Sequence, residues 1–242
     1  MINNLEPYVP IVFLLTVLTT FVLLLQSIIG PNAEQNKNIK ITIGLALFIW
    51  LSTQGVLSYK GFYLNFKAFP PRFGLAILPP LITVILLLIK SRRFVDRLSI
   101  ETLTYLHTVR IPVELVLYWL FLNKQVPELM TFEGRNFDIV AGITAPFTGY
   151  YCFTKEKMNR KIALLWNLVS LGLLLNIVIN ALLSVPSPFQ KFAFDQPNIG
   201  LAHFPFIWLP SFIVPTVLFS HIVSIIKLRN TKIDEKITSQ RV

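Results

Sequence analysis

Long apolar stretches separated by short polar connections dominate the chain. Most stretches reach the roughly 17–25 residues that cross a bilayer core of about 30 Å as a helix. The pattern predicts an all-α integral membrane protein, a bundle of seven transmembrane helices that forms a single domain over residues 1–226. The predicted spans, in chain order, are residues 8–29, 41–58, 74–90, 100–122, 138–153, 161–184 and 202–226.

The composition agrees with a membrane location. Hydrophobic residues make up 54% of the 242 residues and charged residues 14%, whereas soluble domains carry about 25% charged residues. The single cysteine, Cys152, excludes an internal disulfide framework and a cysteine-rich metal site. The first residues lack the basic region of a signal peptide, so residues 8–29 are predicted to be a retained helix.

Basic residues are distributed unequally between the two predicted sides of the membrane. Fifteen of the 22 lysines and arginines follow spans 1, 3 and 5 or lie in the tail, residues 227–242, and six lie in the other connections. Because cytoplasmic loops carry excess Lys and Arg, this bias predicts an outside N-terminus and a basic cytoplasmic tail. The Ile, Lys and Asn usage is typical of AT-rich bacterial genomes, and we expect a multi-pass protein of the bacterial inner membrane.

The net charge of +10 at pH 7 raises the question of a nucleic-acid partner. The excess base lies on one predicted side, where it meets anionic lipid headgroups. The tail mixes Asp234 and Glu235 with its lysines and lacks interleaved aromatic residues. We therefore expect membrane lipids and a small-molecule ligand as partners, no nucleic acid, and a homo-oligomer or a larger membrane complex as the assembly.

Two known seven-helix classes do not match the motifs of the chain. A retinal protein needs a lysine midway along its last helix, and span 7 has none before Lys227. The metal-dependent lipid hydrolases need several histidines with an H-x-x-x-H pair late in the chain. This chain has three histidines and no such pair: His107, His203 and His221.

The strongest functional pattern lies in span 4, LHTVRIPVELVLYWL. At 100° per residue, one stripe of this helix carries a histidine, an arginine, a carboxylate and a phenol. Ionisable groups at membrane depth are expensive and usually face the interior of a bundle or a wet cavity. Pro112 removes a backbone donor between them and predicts an irregular helix. An alternative is that Arg110 and Glu114 form a local structural pair at i, i+4.

Together with two asparagines of span 6, this stripe predicts a substrate-binding site near mid-membrane. In this hypothesis Arg110 holds an anionic group and Glu114 is its proton-linked partner. Asn167, on the other face of span 6, is predicted to make only an interhelical hydrogen bond. The predicted site residues are His107, Arg110, Glu114, Tyr118, Asn176 and Asn180.

The stretch MTFEGRNFDIV, residues 130–140, crowds charged and amide side chains between two apolar runs. Gly134 predicts a tight turn, Asn136 an N-cap, and Asp138 a first-turn carboxylate at the positive end of the helix dipole. The remaining charges predict an outer vestibule that leads to the membrane site, with a structural salt-bridge lid as the alternative. The vestibule residues are Arg72, Glu133, Arg135, Asn136, Asp138 and His203.

Span 5 is short and contains Gly142, Pro146 and Gly149. A short span interrupted by Gly and Pro often marks a binding site, because a broken helix presents its ends to a ligand. Span 5 is therefore predicted to be short and broken at the mouth of a cavity.

No cofactor is predicted, with a haem or metal held between His107 and His221 as an alternative. The leading functional hypothesis is a membrane protein that binds or transports a small polar or amphipathic solute through an intramembrane polar site. One alternative is a membrane-embedded enzyme acting on a lipid or isoprenoid. Its acid–base residues would be the trio Glu114, His107 and Tyr118, or the outer carboxylates Glu133 and Asp138, although no nucleophile motif is identified and the catalytic residues stay unassigned. The other is a structural or sensory subunit of a membrane complex.

Overall fold

The computed structural model describes residues 2, 5–29, 33–154 and 159–239, and within these ranges it contains helices and no β-strand. A single isolated β-bridge joins Ile28 and Leu98. The helices are α1 (Tyr8–Gln26), α2 (Ala33–Tyr59), α3 (Gly74–Lys90), α4 (Arg92–Asp96), α5 (Ile100–Leu106), α6 (Arg110–Leu122), α7 (Asp138–Gly149), α8 (Arg160–Leu183) and α9 (Val214–Ser239).

Within the part of the chain that the structure describes, five stretches of helix are long and apolar enough to cross a membrane, and α3 is a shorter apolar helix. Their outward faces are apolar as well. In the most apolar window of α2 only 22% of the residues are buried inside the protein, and Ile89 of α3 is 73% exposed. Exposed apolar area of this extent marks a surface that meets lipid or a partner. The five stretches are Tyr8–Gln26, Asn36–Tyr59, Ile100–Leu122, Arg160–Leu183 and Leu209–Asn230.

The last of these stretches lies at the centre of the bundle, since 67% of its most apolar window is buried. α9 packs against α8 and α5. The main core joins apolar side chains from α1, α6 and α8 with residues 201–217. A central helix that is buried on most faces can carry polar residues only if neighbouring helices supply their hydrogen bonds.

The connections between helices meet at two ends of the bundle. At one end Ser99 donates its backbone N–H to Ser27, and the Lys227 ammonium donates to the carbonyl oxygens of Asp96 and Leu98. At the other end the carbonyl oxygen of Gln125 accepts from two successive backbone N–H groups of residues 199–200. The connections after α1 and α3 therefore share one end, called here the basic end, and those after α6 and α8 share the other.

The helix of span 4 is irregular where Pro112 predicts it. A 3-10 turn, His107–Val109, joins α5 to α6. Proline at position 112 cannot donate to the carbonyl of Thr108, and its ring crowds that carbonyl, so the preceding turn tightens.

Span 7 differs from its predicted bounds. Helix begins with a π-helical turn, Leu209–Ile213, and not at residue 202. Pro205 and Pro210 lack backbone donors, which stops the helix from extending toward the N-terminus. His203 therefore lies in the connection before the helix. At the other end α9 continues through residues 227–239 of the predicted tail.

The prediction of a broken span 5 is wrong, because α7 runs without interruption through Gly142 and Pro146. A Cβ added at Gly142 would lie 2.9 Å from the side chain of Ile111. The glycine allows α7 and α6 to approach closely, as small residues do at membrane helix interfaces. α7 is short, and a π-helical turn, Tyr150–Thr154, follows it. Among the basic residues used to predict orientation, Lys155, Lys157 and Arg241 lie outside the described residues.

Candidate functional site

A buried ion pair joins the first residue of α6 to the first residue of α7. Arg110 is 2% exposed and Asp138 is 4% exposed. Nε of Arg110 donates to Oδ2 of Asp138 at 2.6 Å, and Nη2 donates to Oδ1. This is a bidentate contact, in which the planar guanidinium fixes the direction as well as the charge of its partner. Because both groups have left water, each depends on the other for compensation of its charge.

The guanidinium of Arg110 reaches two further helices. Nη2 donates to the carbonyl oxygen of Ser170 in α8, and Nη1 lies 3.1 Å from Nε2 of His221 in α9. The other ring nitrogen of His221, Nδ1, lies 2.9 Å from Oδ1 of Asn167, whose amide donates to Ala163. Since guanidinium nitrogens only donate and the Asn167 oxygen only accepts, His221 is the neutral tautomer with its proton on Nδ1.

His107 lies against this network without joining it by a hydrogen bond. The side chain is fully buried, and its ring stacks on that of His221 at 3.9 Å between centroids. The indole of Trp166 meets the same ring edge-on at 5.3 Å. Neither ring nitrogen of His107 has a hydrogen-bond partner among the described residues. A buried polar group of this kind costs about 1–3 kcal/mol when its hydrogen bonds are unmade, so the position is a candidate contact for a guest molecule.

Glu114 extends the cluster toward the end opposite the basic end. It is 1% exposed, and its carboxyl oxygens lie 2.7 and 2.6 Å from Nδ2 of Asn136. The same Nδ2 donates to the carbonyl oxygen of Met130, so two amide hydrogens face three acceptor oxygens. Oδ1 of Asn136 accepts from the backbone N–H of Asp138. Asn136 thus links the carboxylate of Glu114 to the backbone of Asp138, and among the described side chains Glu114 has no cation of its own.

These residues together form what we call the buried cluster. It draws side chains from the α5–α6 unit, α8 and α9 and from the start of α7. Its members are His107, Arg110, Glu114, Asn136, Asp138, Asn167 and His221.

The structure brings three of the six predicted substrate-binding residues together, namely His107, Arg110 and Glu114. Tyr118 packs elsewhere, on the ring of Phe132 at 4.9 Å and near the exposed Glu133. The predicted local pair of Arg110 and Glu114 does not form, because Asp138 takes the guanidinium in a bidentate contact.

The two asparagines of span 6 also lie apart from the buried cluster. Asn176 is exposed, and its amide donates to the carbonyl oxygen of Arg135 at 2.7 Å. The amide of Asn180 donates back to Asn176. Asn176 holds the connection between α6 and α7 against α8, and Asn180 orients Asn176, which are positioning roles and not the predicted lining of a cavity.

The predicted vestibule is divided between the interior and the surface. Asn136 and Asp138, expected outside, are buried members of the cluster. Arg135 lies over the ring of Phe192. Arg72 lies over that of Phe62 at 4.7 Å. Among the described residues no ion pair joins the vestibule charges that remain at the surface, so a salt-bridge lid is not observed there.

The start of α7 also differs in detail from its prediction. The N-cap is Phe137, and Asn136 stands one residue earlier, where its side chain accepts the N–H of Asp138. Gly134 does form a turn, in which its N–H donates to Thr131. Its backbone conformation is ordinary, and glycine is needed because a Cβ would collide with the carbonyl oxygen of Glu128.

Sequence reasoning did not assign His221 and Asn167 to the site. His221 entered the predictions only as one half of the alternative haem or metal pair with His107. Asn167 makes the interhelical hydrogen bond that was predicted for it, but its partner belongs to the cluster. A signal was present in α8, where Ala163, Asn167 and Ser170 recur at helical spacing on one buried face.

The two histidines do not fit a metal or haem held between them. Their rings are stacked face to face, with 3.9 Å between centroids and 21° between planes. Imidazole lone pairs lie in the ring plane, so the lone pairs of two stacked rings cannot converge on one ion. Both nitrogens of His221 are engaged by Arg110 and Asn167. The described residues also contain no group of three or more His, Cys, Asp or Glu side chains arranged to hold a metal.

Comparison with known proteins gives one match. The model of a domain of unknown function, DUF8737, matches residues 70–229, which is more than half of the chain. The matched segment begins before α3 and includes every member of the buried cluster. No curated protein matches the chain, and no solved structure matches it.

Proposed function

We propose a function for this chain, which belongs to the DUF8737 family, from the geometry of its buried cluster. In this proposal the protein binds or transports a small polar or amphipathic solute within the membrane, and Glu114 gains and releases a proton during the cycle. The observation that carries the proposal is a set of five ionisable side chains, buried where several apolar helices meet. In membranes such chains of Asp, Glu and His residues mark substrate and proton pathways.

The charges of the cluster support a proton at Glu114. One guanidinium faces two carboxylates, and the bidentate contact assigns that guanidinium to Asp138. Glu114 is left with the amide of Asn136 as its donor. An isolated ionised carboxylate is costly in a medium of low dielectric, and a bound proton or a cationic solute removes that cost. Glu114 is therefore the member of the cluster whose charge changes most easily.

The surroundings of His107 support a solute that combines hydrogen-bonding atoms with an apolar surface. A neutral imidazole offers one donor and one acceptor, and neither is used among the described residues. The neighbouring rings of Trp166 and His221 provide flat apolar area. Arg110 is not proposed as the group that binds an anionic solute, since four of its five N–H donors already contact Asp138, Ser170 and His221.

The proposed arrangement in the membrane has seven crossings, an outside N-terminus and a cytoplasmic basic end, in the bacterial inner membrane. The way in which helix ends alternate between the two ends of the bundle supports this arrangement. Tyr8, where α1 begins, contacts Trp119, near where α6 ends, and this contact lies at the end opposite Lys227. The exposed apolar faces of α2, α3 and α8 support contact with membrane lipids. Association into a homo-oligomer or a larger membrane complex is part of the proposal.

A screen of small polar solutes by thermal unfolding tests the function. Wild type is compared with Glu114→Gln and with Glu133→Gln, which changes an exposed carboxylate on the adjoining connection. A solute that raises the unfolding temperature of wild type and Glu133→Gln, but not of Glu114→Gln, supports the proposal. A solute that stabilises all three equally binds elsewhere and counts against this site.

A structural subunit is the second candidate, and one observation favours it. The hydrogen bonds of Arg110, Asp138 and His221 connect α6, α7, α8 and α9, as a purely structural clamp would. The enzyme alternative loses its predicted acid–base trio, because Tyr118 contacts Phe132 and not the cluster.

A further inference from the structure

The basic end carries a cavity that the buried cluster does not use. Its volume is about 220 Å³, and its walls come from α3, α4 and α9. Three apolar side chains and two polar ones line it: Leu88, Val95, Ile226, Arg92 and Asn230. The volume is below the roughly 300–1,000 Å³ of pockets that enclose a drug-sized ligand, so it suits one chemical group of a larger molecule.

Both polar side chains of the cavity are available to a ligand. The guanidinium of Arg92 and the amide of Asn230 make no hydrogen bond or ion pair with any residue that the structure describes. Arg92 is exposed, and α4 presents its neighbour Arg93 to solvent as well. The backbone carbonyl oxygen of Asp96, the acidic residue of α4, accepts a hydrogen bond from Lys227. An arginine with a free planar fork beside an amide donor is suited to an oxyanion such as phosphate.

The position of the cavity indicates that its ligand also has an apolar part. It lies where α3 ends, and the outward side chains of the last turns of that helix, Leu86 and Ile89 among them, are apolar and exposed. Phe94 and Val95 of α4 turn inward, and the ring of Phe94 stacks on Phe219. The rest of a ligand whose phosphate binds Arg92 would therefore lie along an apolar surface. A phospholipid has this arrangement at the boundary between its headgroup and its acyl chains.

We propose that this cavity binds the phosphate of an anionic phospholipid from the leaflet at the basic end. Arg92 and Asn230 contact the phosphate oxygens, and Leu88, Val95 and Ile226 contact the glycerol and the first acyl carbons. The site is independent of Glu114 and of the solute proposed above. It differs from general attraction of basic residues to anionic lipid, because it depends on one arginine of a neighbouring pair and on the cavity walls.

The test uses the full chain in nanodiscs of equal parts phosphatidylcholine and phosphatidylglycerol, with bound lipid counted by native mass spectrometry. Arg92→Gln removes the phosphate contact, Leu88→Trp fills the cavity with the charge intact, and Arg93→Gln is the matched control with the same loss of charge. Wild type and Arg93→Gln are expected to retain phosphatidylglycerol. The two cavity variants are expected to bind it about tenfold or more weakly, as for loss of a charged hydrogen bond.

Equal loss in Arg92→Gln and Arg93→Gln would show attraction by net charge alone and would overturn the site. A second arm adds inorganic phosphate to protein in phosphatidylcholine nanodiscs. If Arg92→Gln weakens binding of inorganic phosphate while leaving phosphatidylglycerol unchanged, the ligand is a soluble phosphate and the lipid assignment is wrong. Selective loss of phosphatidylglycerol in both cavity variants supports the proposal.

Discussion

At the scale of residues, the cluster depends on how buried charges are compensated. Span 4 could be recognised from its sequence because Arg110 and Glu114 are costly inside an apolar helix. Their partners could not, because the sequence placed Asn136 and Asp138 at the start of span 5 and in an outer vestibule, and not against span 4. Periodicity shows which side chains share a face of one helix, whereas a bidentate contact depends on the position of the next helix.

Removing one partner of the buried ion pair should cost more than removing both. Asp138→Leu leaves Arg110 charged and uncompensated, and Arg110→Met does the same to Asp138, with an expected loss of about 3–5 kcal/mol in the free energy of unfolding for each. The double variant Arg110→Met, Asp138→Leu is expected to lose less than either single change, because no buried charge remains unpaired. Unfolding of the purified variants in detergent measures the loss of free energy for each single variant and for the double variant. A double loss equal to the sum of the single losses would show that the two side chains are not coupled.

The protonation of Glu114 can be observed directly. Infrared spectra of the purified protein, recorded across a pH series, are expected to contain a carboxylic-acid carbonyl band that appears and disappears with pH. This band should be absent from Glu114→Gln and present in Glu133→Gln, whose altered carboxylate is exposed. A series in which Glu114→Gln retains every titrating carbonyl band of the wild type would contradict the proton role.

At the scale of elements, the positions of most helices follow from the apolar pattern, and their irregularities follow only in part. Pro112 correctly predicted the irregular turn before α6. The glycines of α7 were misread, since Gly142 and Gly149 can break a helix or let another approach, and the sequence does not distinguish these roles. In the structure a Cβ at Gly149 would lie 2.8 Å from the ring of Tyr105, so packing against α5 explains that position.

The close approach of α7 to α6 should make Gly142 far less tolerant than another helical glycine. Gly142→Ala is expected to destabilise the protein by about 1–3 kcal/mol, as other overpacking substitutions do. Gly172 of α8 is the matched control, because an added Cβ there meets nothing within 4 Å. Gly172→Ala should be neutral or stabilise by up to about 1 kcal/mol through helix propensity. Equal responses of the two variants in thermal unfolding would refute close packing at Gly142.

At the scale of the whole molecule, the sequence predicted helices and a membrane-like exterior because both arise from composition and run length. The number of crossings rests on the apolar stretches and their direction on the distribution of charge, and both remain predictions. Ser27 and Lys227 lie at the same end of the bundle as Arg92 and Arg93. The bounds of span 7 were misjudged because the residues before Leu209 are apolar yet contain prolines.

The predicted orientation can be tested with single cysteines in a Cys152→Ser background. Glu133→Cys and Arg93→Cys place thiols at exposed positions on opposite ends of the bundle. In intact cells a membrane-impermeant maleimide should label the thiol at position 133 and leave position 93 unlabelled until the membrane is opened. The reverse pattern would place the basic end outside, and labelling of neither position in opened membranes would mean that both are covered.

The central claim is that the buried cluster holds a solute, and mass spectrometry of the gently purified protein tests it most directly. Wild type, Glu114→Gln and Glu133→Gln are purified in parallel, and the small molecules, metals and haem that each carries are identified. We predict one small polar or amphipathic compound in wild type and Glu133→Gln that is lost or strongly reduced in Glu114→Gln. If all three proteins are empty and Glu114→Gln is merely less stable, the cluster is a structural clamp, and the solute-binding account is wrong.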